Sequence, residues 1–79
     1  MTVAADSITI NITVANALLV ARAKANMSQA ELSAKTGIDQ ADISKIERGI
    51  ANPSVATLKR LANGLGAELT VTFDLKDVG

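Results

Sequence analysis

The side chains with the clearest capacity for chemistry lie within one short segment, residues 39–48, which reads DQADISKIER. Gln40 can both donate to and accept from a base edge, and Lys45 and Arg48 can bind guanine or a phosphate. If this segment is a helix whose polar side faces outward, it can enter the major groove of DNA. The alternative for the same side chains is a solvated helix face that has no partner.

Other kinds of chemistry lack the residues they need. The 79 residues include no cysteine, no histidine and no tyrosine, which removes disulfides, thiolate or imidazole metal ligands and the commonest general base. There is no glycine-rich phosphate-binding loop, and no third ligand accompanies Asp39 and Asp42. We therefore predict no enzyme activity, no cofactor and no metal site. The absence of cysteine fits a cytoplasmic location, and no apolar run approaches the roughly 20 residues that cross a bilayer.

Charge is balanced overall but unevenly distributed. Residues 15–65 carry a net charge of +3, and the flanking segments carry −3. A mildly basic centre is compatible with binding to phosphates, although a strongly basic domain would indicate it more clearly.

The segment 39–48 is preceded by the signals of a second, shorter helix. Ser28 and Glu31 have the spacing of a capping box, and Gly37 suits the left-handed position that ends a helix. Asp39 is placed to cap the next helix. Ala34 is small enough to let the two helices approach closely. We therefore predict two helices joined by a tight turn, with Ile38, Ile43 and Ile46 anchoring the second one inside.

The rest of the chain divides into a helical part and two alternating segments. Residues 14–25 have apolar spacings of three and four, and Ser54 caps a fourth helix that ends between Gly64 and Gly66. Residues 7–14 and 68–75 alternate between apolar and polar side chains, which predicts short strands. Thr13 could instead cap the helix that follows it. The predicted organisation is a tail and strand over 1–13, a helical domain over 14–66, and a strand and tail over 67–79.

From residue 14 to residue 66 the chain resembles the phage repressor and Cro type of helix-turn-helix, the XRE family. The resemblance rests on residues 28–49 (SQAELSAKTGIDQADISKIERG), on Asn-Pro-Ser at 52–54, and on Leu58-x-x-Leu-Ala62, all at matching spacing. It implies a mainly α bundle of four to five helices and a sequence-specific regulator of transcription that binds double-stranded DNA, in most cases a dimeric repressor.

The resemblance also implies roles for individual residues. Its DNA-binding positions correspond to Gln29, Asp39, Gln40, Ala41, Ser44, Lys45, Arg48 and Asn52. Of these, Gln40, Ala41 and Lys45 approach base edges, and the others lie by the backbone or at the start of the recognition helix. Arg22 and Glu47 match a structural ion pair. Asp42 departs from the expected pattern, because its carboxylate could accept from a cytosine amine or could repel the phosphates.

The two alternating segments need partners, since an isolated two-stranded ribbon is marginal in water. We predict that the C-terminal strand pairs with its copy across a two-fold axis through Leu69, Val71, Phe73 and Leu75, and that the N-terminal strand extends the same sheet. Family members with such a strand include antitoxins, so the alternative function is an antitoxin with a toxin partner or another module whose main role is to bind a protein. No membrane partner is expected.

Overall fold

The computed structural model describes residues 7–73 and residue 75, and within them it contains four helices. These are α1 (Ser7–Lys24), α2 (Gln29–Thr36), α3 (Gln40–Glu47) and α4 (Val55–Leu65). Helix α3 packs against both α1 and α2, and α2 packs against α4. The fold is mainly α, as predicted.

An aliphatic core joins the four helices. Leu32, Ile43 and Leu61 are fully buried, one each from α2, α3 and α4, and Leu18 of α1 packs with them. Ile38 and Ile46 complete the cluster, so all three isoleucines of the motif are buried as predicted. Because each helix contributes at least one of these side chains, loss of a helix would expose the others to water.

Helix α2 begins and ends where the capping signals predict. The Glu31 amide donates to Ser28 Oγ at 3.0 Å, and the Ser28 amide donates to Glu31 Oε1 at 3.1 Å, which is a complete capping box. At the other end Gly37 has φ 74°, and its amide donates to the Ser33 carbonyl at 2.9 Å. A left-handed φ is strained for a residue with Cβ, which explains the glycine.

Hydroxyl groups fix the turn between α2 and α3. Ser33 Oγ donates to the Ile38 carbonyl at 2.6 Å, and the Ile38 amide donates to Thr36 Oγ1 at 3.2 Å. Thr36 Oγ1 also donates to the Leu32 carbonyl at 2.8 Å. These bonds satisfy backbone groups that the helix ends leave free, and they hold Ile38 in the core.

The N-terminal strand prediction is wrong, because residues 7–14 form the first half of α1. Thr13 lies inside this helix and donates to the Thr9 carbonyl four residues back, so it does not cap the helix. A strand needs a neighbour for its backbone groups, whereas a helix bonds its own. Ala15 and Leu18 then bury one side of α1, while Ile12 remains 50% exposed.

The C-terminal segment forms no strand within the described residues. Residues 67–73 and 75 contain neither helix nor strand, and Asp74 and residues 76–79 lie outside the described part. Leu69 is half-buried, but Val71, Phe73 and Leu75 are 59%, 91% and 97% exposed. Pairing with a second copy would occur outside a single chain, so that strand stays a prediction.

A tight contact between α2 and α4 lies at Gly64. The sequence instead predicts a close approach of α2 and α3 at Ala34. Ala34 is exposed. A Cβ atom on Gly64 would lie 2.5 Å from Thr36 Cγ2 and 3.2 Å from Leu32 Cδ1. Gly64 lies within α4, which continues to Leu65 and is capped by Gly66 at φ 68°. Glycine is therefore required here by a neighbouring helix.

Gly64→Ala should lower the free energy of unfolding by about 1 to 3 kcal/mol, because the added methyl group overpacks the contact between α2 and α4. Urea denaturation measures this. Adding Thr36→Ser removes the clashing Cγ2 atom and keeps the hydroxyl group, so the double variant should recover much of the loss. Equal stability of Gly64→Ala and the unmodified protein would contradict the contact.

Candidate nucleic-acid interface

Helix α3 has one buried side and one free side. Ile43, Ile46 and Glu47 are buried, and Ala41, Lys45 and Arg48 are exposed on the opposite side at helical spacing. Gln40 and Asp42 are exposed at the two flanks, and Ser44 is half-buried. The structure thus gathers the polar and basic side chains of this helix on an accessible surface.

The flanks of α3 bring in the remaining predicted residues. Asn52 is exposed in the loop between α3 and α4, and Gln29 is half-buried in the first turn of α2. Asp39 occupies the N-cap position of α3, and its carbonyl accepts from the amides of Asp42 and Ile43 at 3.0 and 3.1 Å. Its carboxylate makes no capping bond. The predicted capping by this side chain is therefore wrong, and the carboxylate is exposed at the start of the helix.

An ion pair ties the end of α3 to α1. Arg22 Nε and Nη2 each donate to one oxygen of Glu47 at 2.8 Å, which is the pair that the resemblance implied. Arg22 Nη1 also donates to the Met27 carbonyl at 3.0 Å, just before α2 begins. Gln29 Nε2 donates to Glu47 Oε1 at 3.0 Å. One carboxylate therefore fixes the relative positions of α1, α2 and α3.

Hydrogen bonds at this carboxylate set its acidity. The Arg22 guanidinium holds the pKa of Glu47 below its usual value of 4.5, with burial opposing and the Gln29 amide assisting. The pKa of Glu31 is lowered too, by the hydrogen bonds from Ser28. In both cases the hydrogen bonds of the folded protein stabilise the ionised carboxylate.

Stability should therefore fall in acid. A carboxylate whose folded pKa is depressed contributes stability above its unfolded pKa and loses it as the pH falls through the folded pKa. We expect the free energy of unfolding to decrease below pH 4.5, which urea titrations at pH 7, 5, 4 and 3 would measure. Glu47→Gln should show a flatter profile. Parallel profiles for the two proteins would contradict a depressed pKa at Glu47.

Charges of both signs surround the free side of α3. Lys45 and Arg48 are accompanied by Asp39 and Asp42, so the helix supplies no excess of positive charge. Among the described residues, no cluster of three or more potential ligands could hold a metal ion. No helix in that part of the chain is long and apolar enough to cross a membrane.

Sequence reasoning missed one contact beside this interface. Arg60 of α4 is exposed, and its Nη2 donates to the Thr36 carbonyl at 2.6 Å, 24 residues away. A Cβ atom on Gly37 would lie 3.4 Å from the same nitrogen. Nothing in the local pattern around Arg60 indicates this bond, because it depends on how α4 crosses the end of α2.

Comparison with protein families gives a match over the helices that form the candidate interface. The profile of the helix-turn-helix family HTH_3 matches residues 18–71, which include the core, the tight turn and α3. The chain belongs to this family. The matched region begins inside α1, so the first turns of that helix precede it.

Proteins similar to this chain in sequence and in structure include transcriptional regulators. An uncharacterised HTH-type transcriptional regulator of Sinorhizobium fredii, y4dL, is 43% identical over 54 residues, which are 68% of this chain and 28% of the relative. The chain thus spans about a quarter of that relative's length. The structure of an HTH_3 family transcriptional regulator from Vibrio cholerae has 32% identity and a TM-score of 0.77, over 80% of this chain and 35% of that one.

A further solved structure contains DNA. It is the restriction-modification controller protein C.Esp1396I, a tetramer in complex with its natural 35-base-pair operator. Its identity to this chain is 27% and the TM-score is 0.71, with 75% of this chain and 78% of the controller covered. The fold of this helix-turn-helix protein is therefore similar to one that has been seen on an operator.

Proposed function

We propose that this helix-turn-helix protein is a sequence-specific regulator of transcription that binds double-stranded DNA as a dimer and represses. The observation that carries the proposal is the placement of α3, whose isoleucines are buried while Ala41, Lys45 and Arg48 are exposed. Family membership and the regulators among its relatives support it. A regulator acts where the chromosome is, so the proposal includes a cytoplasmic location.

In this proposal the free side of α3 lies in the major groove. Gln40 and Lys45 hydrogen-bond to base edges, and Ala41 offers only a methyl group, which suits a thymine methyl. Ser44, Arg48 and Asn52 contact the phosphate backbone on one side. Direct readout by this set is sparse, so the shape and deformability of the DNA supply part of the specificity.

Gln29 binds a phosphate on the other side of the groove. Its amide nitrogen uses one hydrogen on Glu47 and keeps a second one, because a side-chain amide carries two. The ion pair with Arg22 fixes that carboxylate and thereby the direction of the amide. A donor held in this way loses little conformational entropy when it binds.

Selection from random duplexes, followed by fluorescence anisotropy at fixed salt, tests DNA binding. We expect an enriched motif, and binding to it at least about a thousandfold tighter than to a scrambled duplex. An equal affinity for both duplexes, or no binding at all, would contradict sequence-specific recognition. Pull-down of a protein partner in the absence of DNA binding would instead favour the interaction module, which the family comparisons do not favour.

The C-terminal segment is proposed to join two copies. Val71, Phe73 and Leu75 are the exposed apolar side chains of an alternating stretch, and Leu69 is half-buried beside α4. Exposed apolar side chains on an unpaired segment favour pairing with a second segment of the same kind. A two-fold dimer would present two recognition helices to half-sites about 34 Å apart. Oligomerisation of the related controller protein is consistent with such a dimer.

Truncation before Glu68 should convert the dimer to a monomer, which light scattering measures. Because a truncated chain can also lose stability, Phe73→Asp with Leu75→Asp is the sharper variant. Both side chains are more than 90% exposed in the single chain, so these substitutions leave the core intact. Circular dichroism serves as the control for folding. A dimer that survives both changes would exclude this segment as the interface.

A further inference from the structure

An arginine outside the helix-turn-helix motif lies beside the start of the recognition helix. Arg60, Asp39, Asp42 and Lys45 line one open cleft of about 380 Å³ between α3 and α4. The cleft thus contains two carboxylates at the end of α3 that would approach DNA first, and one cation that the motif does not supply.

The hydrogen bond of Arg60 fixes where its charge lies. Nη2 donates to the Thr36 carbonyl at 2.6 Å, at the C-terminus of α2 and immediately before the turn. A guanidinium has five donor hydrogens, so this bond leaves others directed elsewhere. The side chain is exposed, and it lines the same cleft as Asp42.

The two carboxylates create a problem that the motif alone does not solve. Asp42 is exposed at the flank of α3 toward α4, and the Asp39 side chain makes no capping bond. Phosphates that approach this end of the helix would be repelled by both carboxylates. Charges separated by less than a Debye length, about 10 Å at 0.1 M salt, still act on one another.

We infer that Arg60 is a positioning residue for DNA recognition, which holds the turn between α2 and α3 and offsets the charge of Asp39 and Asp42 where the recognition helix meets the phosphates. This inference rests on the proposed DNA binding. It assigns Asp42, which lines the same cleft as Arg60, to this charge balance and not to a contact with a cytosine.

The test separates the charge of Arg60 from its hydrogen bond. Arg60→Gln removes the charge and, because its side chain is two bonds shorter, the bond to the Thr36 carbonyl as well. Arg60→Lys keeps the charge without the guanidinium, so it should bind within about twofold of the unmodified protein if the charge is what matters. For Arg60→Gln at 0.1 M salt we expect about fivefold to tenfold weaker binding to the selected duplex, with an increasing difference at lower salt. Lys35→Gln is the matched control. Lys35 is exposed in the last turn of α2, near the carbonyl that Arg60 binds, and it does not line the cleft. Lys35→Gln therefore also removes one positive charge from this region, and it should change affinity less than twofold.

Asp42→Asn tests whether the Asp42 carboxylate is the group whose charge Arg60 offsets. If Arg60 acts by offsetting the carboxylate, Asp42→Asn alone should change affinity less than twofold, because its charge is already balanced. Arg60→Gln with Asp42→Asn should then restore affinity to within about twofold of the unmodified protein, a non-additive result in the double-mutant cycle. Additive losses, or equal effects of Arg60→Gln and Lys35→Gln, would overturn the inference. Failure of the unmodified protein to bind any selected duplex would overturn the proposed function instead, so the two failures are distinguishable.

Discussion

Arg22→Met is expected to lower the free energy of unfolding by about 3 to 5 kcal/mol, the typical cost of leaving one partner of a buried ion pair alone. The Glu47 side chain is 4% exposed and that of Arg22 is 20% exposed, so the carboxylate that remains has little access to water. The Met27 carbonyl loses its donor in the same variant. Urea denaturation at pH 7 and at fixed protein concentration measures the change.

The matched control removes both charges. Arg22→Met with Glu47→Leu eliminates the unpaired carboxylate and should be more stable than Arg22→Met alone, because apolar replacements of a buried pair are often neutral. A loss below about 1 kcal/mol for Arg22→Met would place the pair among exposed salt bridges. In that case Glu47 would not fix the relative positions of the first three helices.

Lys45→Ala is expected to weaken binding to the selected duplex by about 1 to 3 kcal/mol, or roughly fivefold to 150-fold in Kd. Lys45 lies on the exposed side of α3, opposite the buried Ile43 and Ile46, and in the proposed complex its side chain reaches a base edge. Fluorescence anisotropy at one salt concentration measures the loss. Circular dichroism should show an unchanged fold, since Lys45 makes no contribution to the core.

The scrambled duplex distinguishes a base contact from a phosphate contact. Loss of a base contact weakens binding to the selected site and leaves nonspecific binding nearly unchanged. A phosphate contact weakens both and reduces the slope of log K against log salt by about 1. Lys24→Ala is the matched control for the circular dichroism measurement, because it also removes one exposed lysine, at the end of α1. Unchanged affinity for the selected duplex would remove Lys45 from the interface.

Local signals determined the middle of the fold. In the Ser28 and Glu31 capping box and in the Ser54 cap, side chains bond to backbone three residues away, and the amide of Gly37 bonds to the Ser33 carbonyl four residues back. Each of these interactions lies within a short stretch of sequence. The buried positions of α3 follow from the spacing of Ile43 and Ile46. The exposure of Lys45 and Arg48 then follows, because their positions lie on the side of the helix opposite the buried isoleucines.

Only the tertiary structure decided the features that depend on a neighbour. Alternation over residues 7–14 is compatible with a strand, but the described residues contain no strand that could pair with it. The burial of Ala15 and Leu18 and the packing of α1 on α3 favour a longer α1 instead. The need for glycine at position 64 comes from Thr36 and Leu32 of another helix. The bond of Arg60 to the Thr36 carbonyl spans 24 residues. Spacing along a chain encodes local periodicity and caps, whereas contacts between distant residues exist only once the helices have packed.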